Sequence, residues 1–259
     1  MRLISIVLLL FITGITEAET ISYAKYQRQY IKSISVVAPA WDGYTNKDGT
    51  GLYWDIIRAI YEPVGIKVKT KTVPWNRAMK MVSKYRTYNA IVGEYRSSVE
   101  PILFPDFPID VDYLSVLSKE GTATQWQGTE SMAGKKVGWI KDYNSIPTAQ
   151  RDFTLKEFRN LEQGIKMLNS GELDFVIDSW DEISGAMQTH SLKKENYNVN
   201  QMSEGKNLYT VFSDDNLSRE LIKIYNERIP LLFKNGELGS LYKKWGTGEI
   251  PDQIVELTY

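Results

Sequence analysis

MLNSGELDFVID, residues 167–178, holds three structural instructions in one short run. Met167 and Leu168 close an apolar helical face, Asn169–Ser170–Gly171–Glu172 is a polar turn, and residues 173–177 (LDFVI) form a short buried strand that ends in Asp178. An earlier run, MVSKYRTYNAIVG at residues 81–93, repeats the order: helix end, polar turn, buried strand at 90–92, then Gly93. Helix, turn and buried strand met twice predict two α/β units of similar design.

The surroundings extend the pattern. Residues 34–38 (ISVVA) and 66–73 are rich in β-branched side chains and read as strands. Between them Leu52, Ile56, Ala59 and Ile60 share one helical face, which Gly65 ends. Ala78, Met79 and Val82 mark a second helix. In the second unit, residues 135–140 (KKVGWI) open with a strand, and Leu161, Ile165 and Leu168 form a helical face. This alternation implies parallel sheet with helical crossovers. Two extended segments, 113–118 (YLSVLS) and 208–212 (LYTVF), are expected to join the units. Helices around 217–234 and 238–245, the latter with Leu238, Leu241, Tyr242 and Trp245 on one face, then return to the first. A chain that leaves a lobe and comes back makes a two-strand hinge. The expected division is lobe 1 at 19–115 and 213–259, and lobe 2 at 116–212.

Composition narrows the function. The 259 residues carry a formal charge of −1 and no cysteine. A near-neutral chain without a basic run has no broad field for nucleic acid, and the absence of cysteine removes thiol nucleophiles and Cys-based zinc sites. Arg2, the apolar run 3–12, then Gly14, Thr16 and Ala18 follow the pattern of a signal peptide cleaved after Ala18. The apolar run is shorter than the roughly 20 residues that span a bilayer, so the expected location is the periplasm, with no membrane insertion after cleavage.

Ligands of open α/β sheets gather at the carboxyl ends of the strands. That rule selects five loops: 39–44 (PAWDGY), 74–77 (PWNR), 93–97 (GEYRS), 141–145 (KDYNS) and 178–181 (DSWD). The candidate ligand-binding residues are Trp41, Asp42, Tyr44, Trp75, Glu94, Tyr95, Arg96, Tyr143, Asn144, Asp178 and Trp180. Aromatic faces sandwich a ligand while a few polar groups orient it. Each also has a packing reading: Trp41 and Trp75 as core plugs, Arg96 as a solvated charge rather than a bidentate anion anchor, Asp178 as a helix cap rather than an amine partner. Of the adjacent Tyr53 and Trp54, at most one faces the cleft. The lone His190 lies in a polar stretch, and no GxSxG, P-loop or GxGxxG motif occurs. Neither a cofactor nor a metal is expected.

Five stretches in order resemble family 3 solute-binding proteins, the periplasmic receptors of polar amino-acid ABC importers. They are GLYWDIIRAIYEPVGIKV (51–68), VPWNRAMKMV (73–82), MAGKKVGWIKDYNS (132–145), LNSGELDFVID (168–178) and FKNGELGSLYKKWG (233–246). The resemblance implies the α/β periplasmic-binding-protein type II fold, two lobes with a two-strand hinge, and a monomer that hands its ligand to an inner-membrane ABC permease or a sensor receptor. It also implies a polar amino-acid ligand; Trp41, Trp75, Tyr95 and Trp180 near Asp42, Glu94 and Asp178 suit an amine, and Arg77 and Arg96 a carboxylate as well. Some relatives on this scaffold resemble dehydratases of cyclic carboxylic acids, so an enzyme is the alternative, and an interaction protein without a ligand is a third. Three departures bear on the ligand. The family's Thr-x-x-x-Arg reads GEYRSSVEP (93–101) here, leaving Arg96 out of register. Ser179 stands where the aspartate for an α-ammonium is expected, one residue beyond Asp178. Asp142, Tyr143 and Asn144 replace a Gly-Thr-Thr turn.

Overall fold

The computed structural model describes residues 30–258 apart from 124, 142–151, 190–191 and 203–204. The expected signal segment, Tyr143, Asn144 and His190 lie outside the described residues.

The first sheet begins with β1 (Ser33–Ala38), β2 (Lys67–Thr72) and β3 (Ala90–Tyr95), mutually parallel with β1 in the middle. β1 is buried along most of its length, whereas β2 alternates exposed lysines with half-buried residues. Lys67, Lys69 and Lys71 thus guard an edge strand against pairing with other chains. Helices α1 (Leu52–Tyr61) and α2 (Trp75–Ser83) connect the strands, and each buries an apolar stripe. α1 seats Leu52, Trp54, Ile56, Ile57 and Ile60 on one face of the sheet; α2 seats Ala78, Met79 and Val82 on the other.

The second sheet repeats this plan. β7 (Lys136–Ile140) lies between β8 (Thr154–Phe158) and β9 (Phe175–Ser179), again parallel. Helix α3 (Leu161–Ser170) precedes β9 as α2 precedes β3. Asn160 caps α3 by accepting from the Gln163 N–H at 2.9 Å. Gly171 ends it at φ 79°, in the left-handed region. The corresponding turn of the first unit contains Arg86 at φ 50°, a non-glycine residue in the same region. The likeness of residues 81–93 to 167–178 is therefore one of backbone path.

The chain crosses between sheets twice. β5 (Asp110–Asp112) pairs in the first sheet, and β6 (Leu114–Lys119) pairs with β9 in the second, leaving only Tyr113 between them. On the way back, β10 (Tyr197–Gln201) pairs with β6, and β11 (Lys206–Ser213) joins the first sheet antiparallel to β3. The boundary expected at 212 therefore falls inside a first-sheet strand. The apolar run 208–212 was expected to leave the second lobe, but it is buried between β3 on one side and the short strands β4 (Ile102–Leu103) and β5 on the other.

Helices α5 (Asn216–Lys234) and α6 (Glu237–Trp245) pack on α1, and α7 (Asp252–Thr258) follows. Tyr61 donates to the Leu221 carbonyl at 2.9 Å, and Tyr242 to the Ile109 carbonyl at 3.1 Å. The return to the first unit is thus closed by buried hydrogen bonds. Among the described residues no helix is long and apolar enough to cross a membrane.

Candidate functional site

Six parallel strands, three per sheet, point their carboxyl ends at one cleft of about 1170 Å³. The loop after β1 brings Trp41, Asp42 and Tyr44; the start of α2 brings Trp75; the end of β3 brings Glu94 and Tyr95. From the other side come Trp139 and Lys141 at the end of β7, Arg159 after β8, Asp178 at the end of β9, and Trp180, Asp181 and Glu182 on α4 (Trp180–Thr189). The first loop is tied down by buried Thr45, whose hydroxyl donates to the Pro39 carbonyl at 2.7 Å and accepts from the Trp41 N–H at 3.1 Å.

Aromatic rings form much of the wall. Trp41 and Trp75 lie with centroids 6.1 Å apart, and Tyr44 and Tyr53 4.8 Å apart. Trp41 also explains Gly93. That residue sits at φ 99°, and a β-carbon there would come within 2.6 Å of the indole. The strand must lack a side chain at that point for the ring to approach it this closely. Tyr53 faces the cleft while its neighbour Trp54 is in the core.

Among the described residues the lining carries eight carboxylates, Asp42, Glu94, Asp110, Asp112, Glu162, Asp178, Asp181 and Glu182, against two cations, Lys141 and Arg159. Both cations are exposed. Several acids are occupied by neighbours. Asp110 accepts from Tyr53 at 2.9 Å, from Tyr242 at 3.2 Å and from the Val111 N–H at 2.8 Å, yet burial still pushes it up to about 7. Asp112 accepts from the Tyr95 hydroxyl. Asp181 accepts from Tyr44 at 2.5 Å, a hydrogen bond that spans the cleft from one unit to the other.

Two acids are left half-satisfied. Glu94 and Asp178 are 4% and 6% exposed. Glu94 Oε1 accepts from the Tyr95 N–H and Asp178 Oδ1 from the Ser179 N–H, while Glu94 Oε2 and Asp178 Oδ2 have no hydrogen-bond partner. An orphaned buried polar atom costs about 1–3 kcal/mol, and more if charged. Burial raises both acids, Glu94 against the opposing pull of the Tyr95 N–H and the nearby Ser98 side chain; Asp178, with Glu182 nearby, reaches about 8.

Eight of the expected residues line the cleft: Trp41, Asp42, Tyr44, Trp75, Glu94, Tyr95, Asp178 and Trp180. Arg96 does not. β3 ends at Tyr95 and the chain turns, so the Arg96 guanidinium donates to the Pro105 carbonyl at 2.8 Å and lies 4.5 Å from the Tyr209 ring centre and 5.4 Å from that of Phe104. Those contacts hold it away from the cleft. The segments expected as loops at 93–97 and 178–181 are partly regular, because β3 and β9 run on to Tyr95 and Ser179 and α4 starts at Trp180. The helix-capping alternative for Asp178 belongs to Ser179 instead, whose hydroxyl accepts from the Glu182 N–H at 3.2 Å. Sequence reasoning missed Asp110, Asp112, Trp139 and Arg159. The first two lie on a strand too short to show alternation. Trp139 lay inside a strand already recognised, where its place at the carboxyl end was the available signal.

No family model and no curated protein matches the sequence. Solved structures do match. One comes from work on glutathione import via GshT and the cystine ABC importer TcyBC of Streptococcus mutans, with 18% identity, 85% of this chain and 97% of that one covered, and a TM-score of 0.69. A histidine-bound ABC uptake transporter substrate-binding protein from Streptococcus pneumoniae matches at 18% identity, 88% and 97% coverage and TM-score 0.68. The glutamate-bound GluR0 ligand-binding core from Nostoc punctiforme matches at 17% identity, 82% and 98% coverage and TM-score 0.64. Each is matched over nearly its whole length, so the α/β, two-sheet, type II binding-protein fold is the fold of this chain.

Proposed function

We propose that this protein is a solute-binding protein of the family 3 type, which captures a small polar ligand by closure of two lobes. Residues 30–112 with 206–258 form one lobe and 114–201 the other, and the chain crosses between them at Tyr113 and again between Gln201 and Lys206. The protein acts in the periplasm after loss of residues 1–18 and delivers its ligand to an ABC permease or a membrane sensor. It holds an amino acid or amine-bearing solute without transforming it.

One observation carries the reading: two matching sheets, linked by two crossings, aim the carboxyl ends of all their parallel strands at a shared aromatic and acidic cleft. Its support from outside is the fold, which is that of proteins named for transport binding. Thermal shift of the purified protein against a metabolite panel tests it. A ligand at 100 times its Kd stabilises by about 2.7 kcal/mol, a plain rise in melting temperature. If no small molecule raises the melting temperature, the binding function is wrong.

A further inference from the structure

An α-amino acid brings a carboxylate as well as an ammonium, and this cleft is poorly built for the first. Among the described residues its carboxylates outnumber its cations eight to two, and both of those cations are exposed and on the second unit. Arg96 is committed to Pro105, Phe104 and Tyr209 outside the cleft, and Arg77 is exposed and does not line it. A ligand carboxylate placed here meets like charge from the ionised acids of the lining and finds no buried cation among the described residues.

The unmet demand is for donors. Glu94 and Asp178 are each more than nine-tenths buried, line the cleft, and present one oxygen with no partner. They occupy matching places, the carboxyl ends of β3 and β9, so each unit contributes one. A buried carboxylate is satisfied best by a charged N–H donor. Trp41, Trp75 and Trp180 supply faces that attract cations. Among the described residues no group of three or more His, Cys, Asp or Glu is placed to hold a metal ion.

We infer that the ligand is a small organic cation with no carboxylate and with an N–H-bearing cationic group at each end, the class of diamines and amino-guanidines. One end donates to Asp178 Oδ2, the other to Glu94 Oε2, and the tryptophans flank the aliphatic span. This rests on the cleft being the solute site.

Isothermal titration of the purified protein at pH 7.5 with matched pairs tests it: agmatine against arginine, 1,5-diaminopentane against lysine, 1,4-diaminobutane against ornithine. Each pair differs only in the carboxylate. In at least one pair the carboxylate-free member should bind ten-fold or more tightly than its amino acid. Asp178→Asn and Glu94→Gln should each weaken that binding ten-fold or more while melting cooperatively. The pair comparison uses unmodified protein, so it stands even if a variant fails to fold. If no pair shows that preference the inference is overturned, as it is by a tight neutral or anionic ligand found in the metabolite panel. Both of those results leave the solute-binding function standing; no binding in these titrations or in the metabolite panel removes both.

Discussion

Asp178 ties the site to pH. Burial, with Glu182 nearby and Asp112 further off, raises it from the ordinary 3.8 to about 8, against one helpful N–H from Ser179. Below about pH 4 the carboxyl is protonated in folded and unfolded chains alike. Between there and about pH 8 the folded chain keeps a proton that the unfolded chain has released, so stability falls as pH rises. Asp110, raised to about 7, contributes in the same sense. The melting temperature of the ligand-free protein should therefore drop from pH 5 to pH 8, and Asp178→Asn should make the drop shallower without abolishing it. Equal slopes in the two proteins would refute the assignment. The type of residue at such positions was legible in the sequence; its satisfaction was not. Glu94 and Arg96 stand two apart at the end of one strand, and only the turn after Tyr95 sends one to the cleft and the other to Tyr209.

Among elements, the helices and central strands were the most readable. α1, α2, α3 and α6 each follow their apolar stripe, and β1 and β7 lie within a residue of their expected ends. Periodicity failed where pairing partners, rather than side chains, decide the structure. β4 and β5 are two and three residues long and exist because β11 offers them hydrogen bonds. β8 has mixed burial and no strict alternation, so its pairing with β7 had no sequence signal. The docking of α6 on α1 is testable by itself. Asp55 on α1 accepts from Lys244 Nζ at 2.8 Å and Trp245 Nε1 at 2.9 Å on α6. Asp55→Ala should lower stability by about 1–2 kcal/mol, since each hydrogen bond contributes about 1 kcal/mol net. Chemical denaturation measures it, and because Asp55 does not line the cleft, ligand affinity should stay as it is.

For the whole molecule, the question is what holds the halves together. Tyr44 of the first unit and Asp181 of the second share a hydrogen bond across the cleft. Tyr44→Phe removes it and keeps the ring that packs on Tyr53. Ligand dissociation, followed by stopped-flow fluorescence from the cleft tryptophans, should speed up several-fold, as expected for loss of about 1 kcal/mol from the closed form. An unchanged rate would mean the contact does not hold the lobes shut. The path of the chain has a separate consequence for assembly. β11 lies between β3 and the short pair β4 and β5, yet it is reached only after the entire second sheet has been traversed. A chain ending before residue 206 leaves β3 with a bare edge, and it leaves α1 without the helices that cover it. The unit started first is therefore the last that can be completed, and the inner unit sits nested within it.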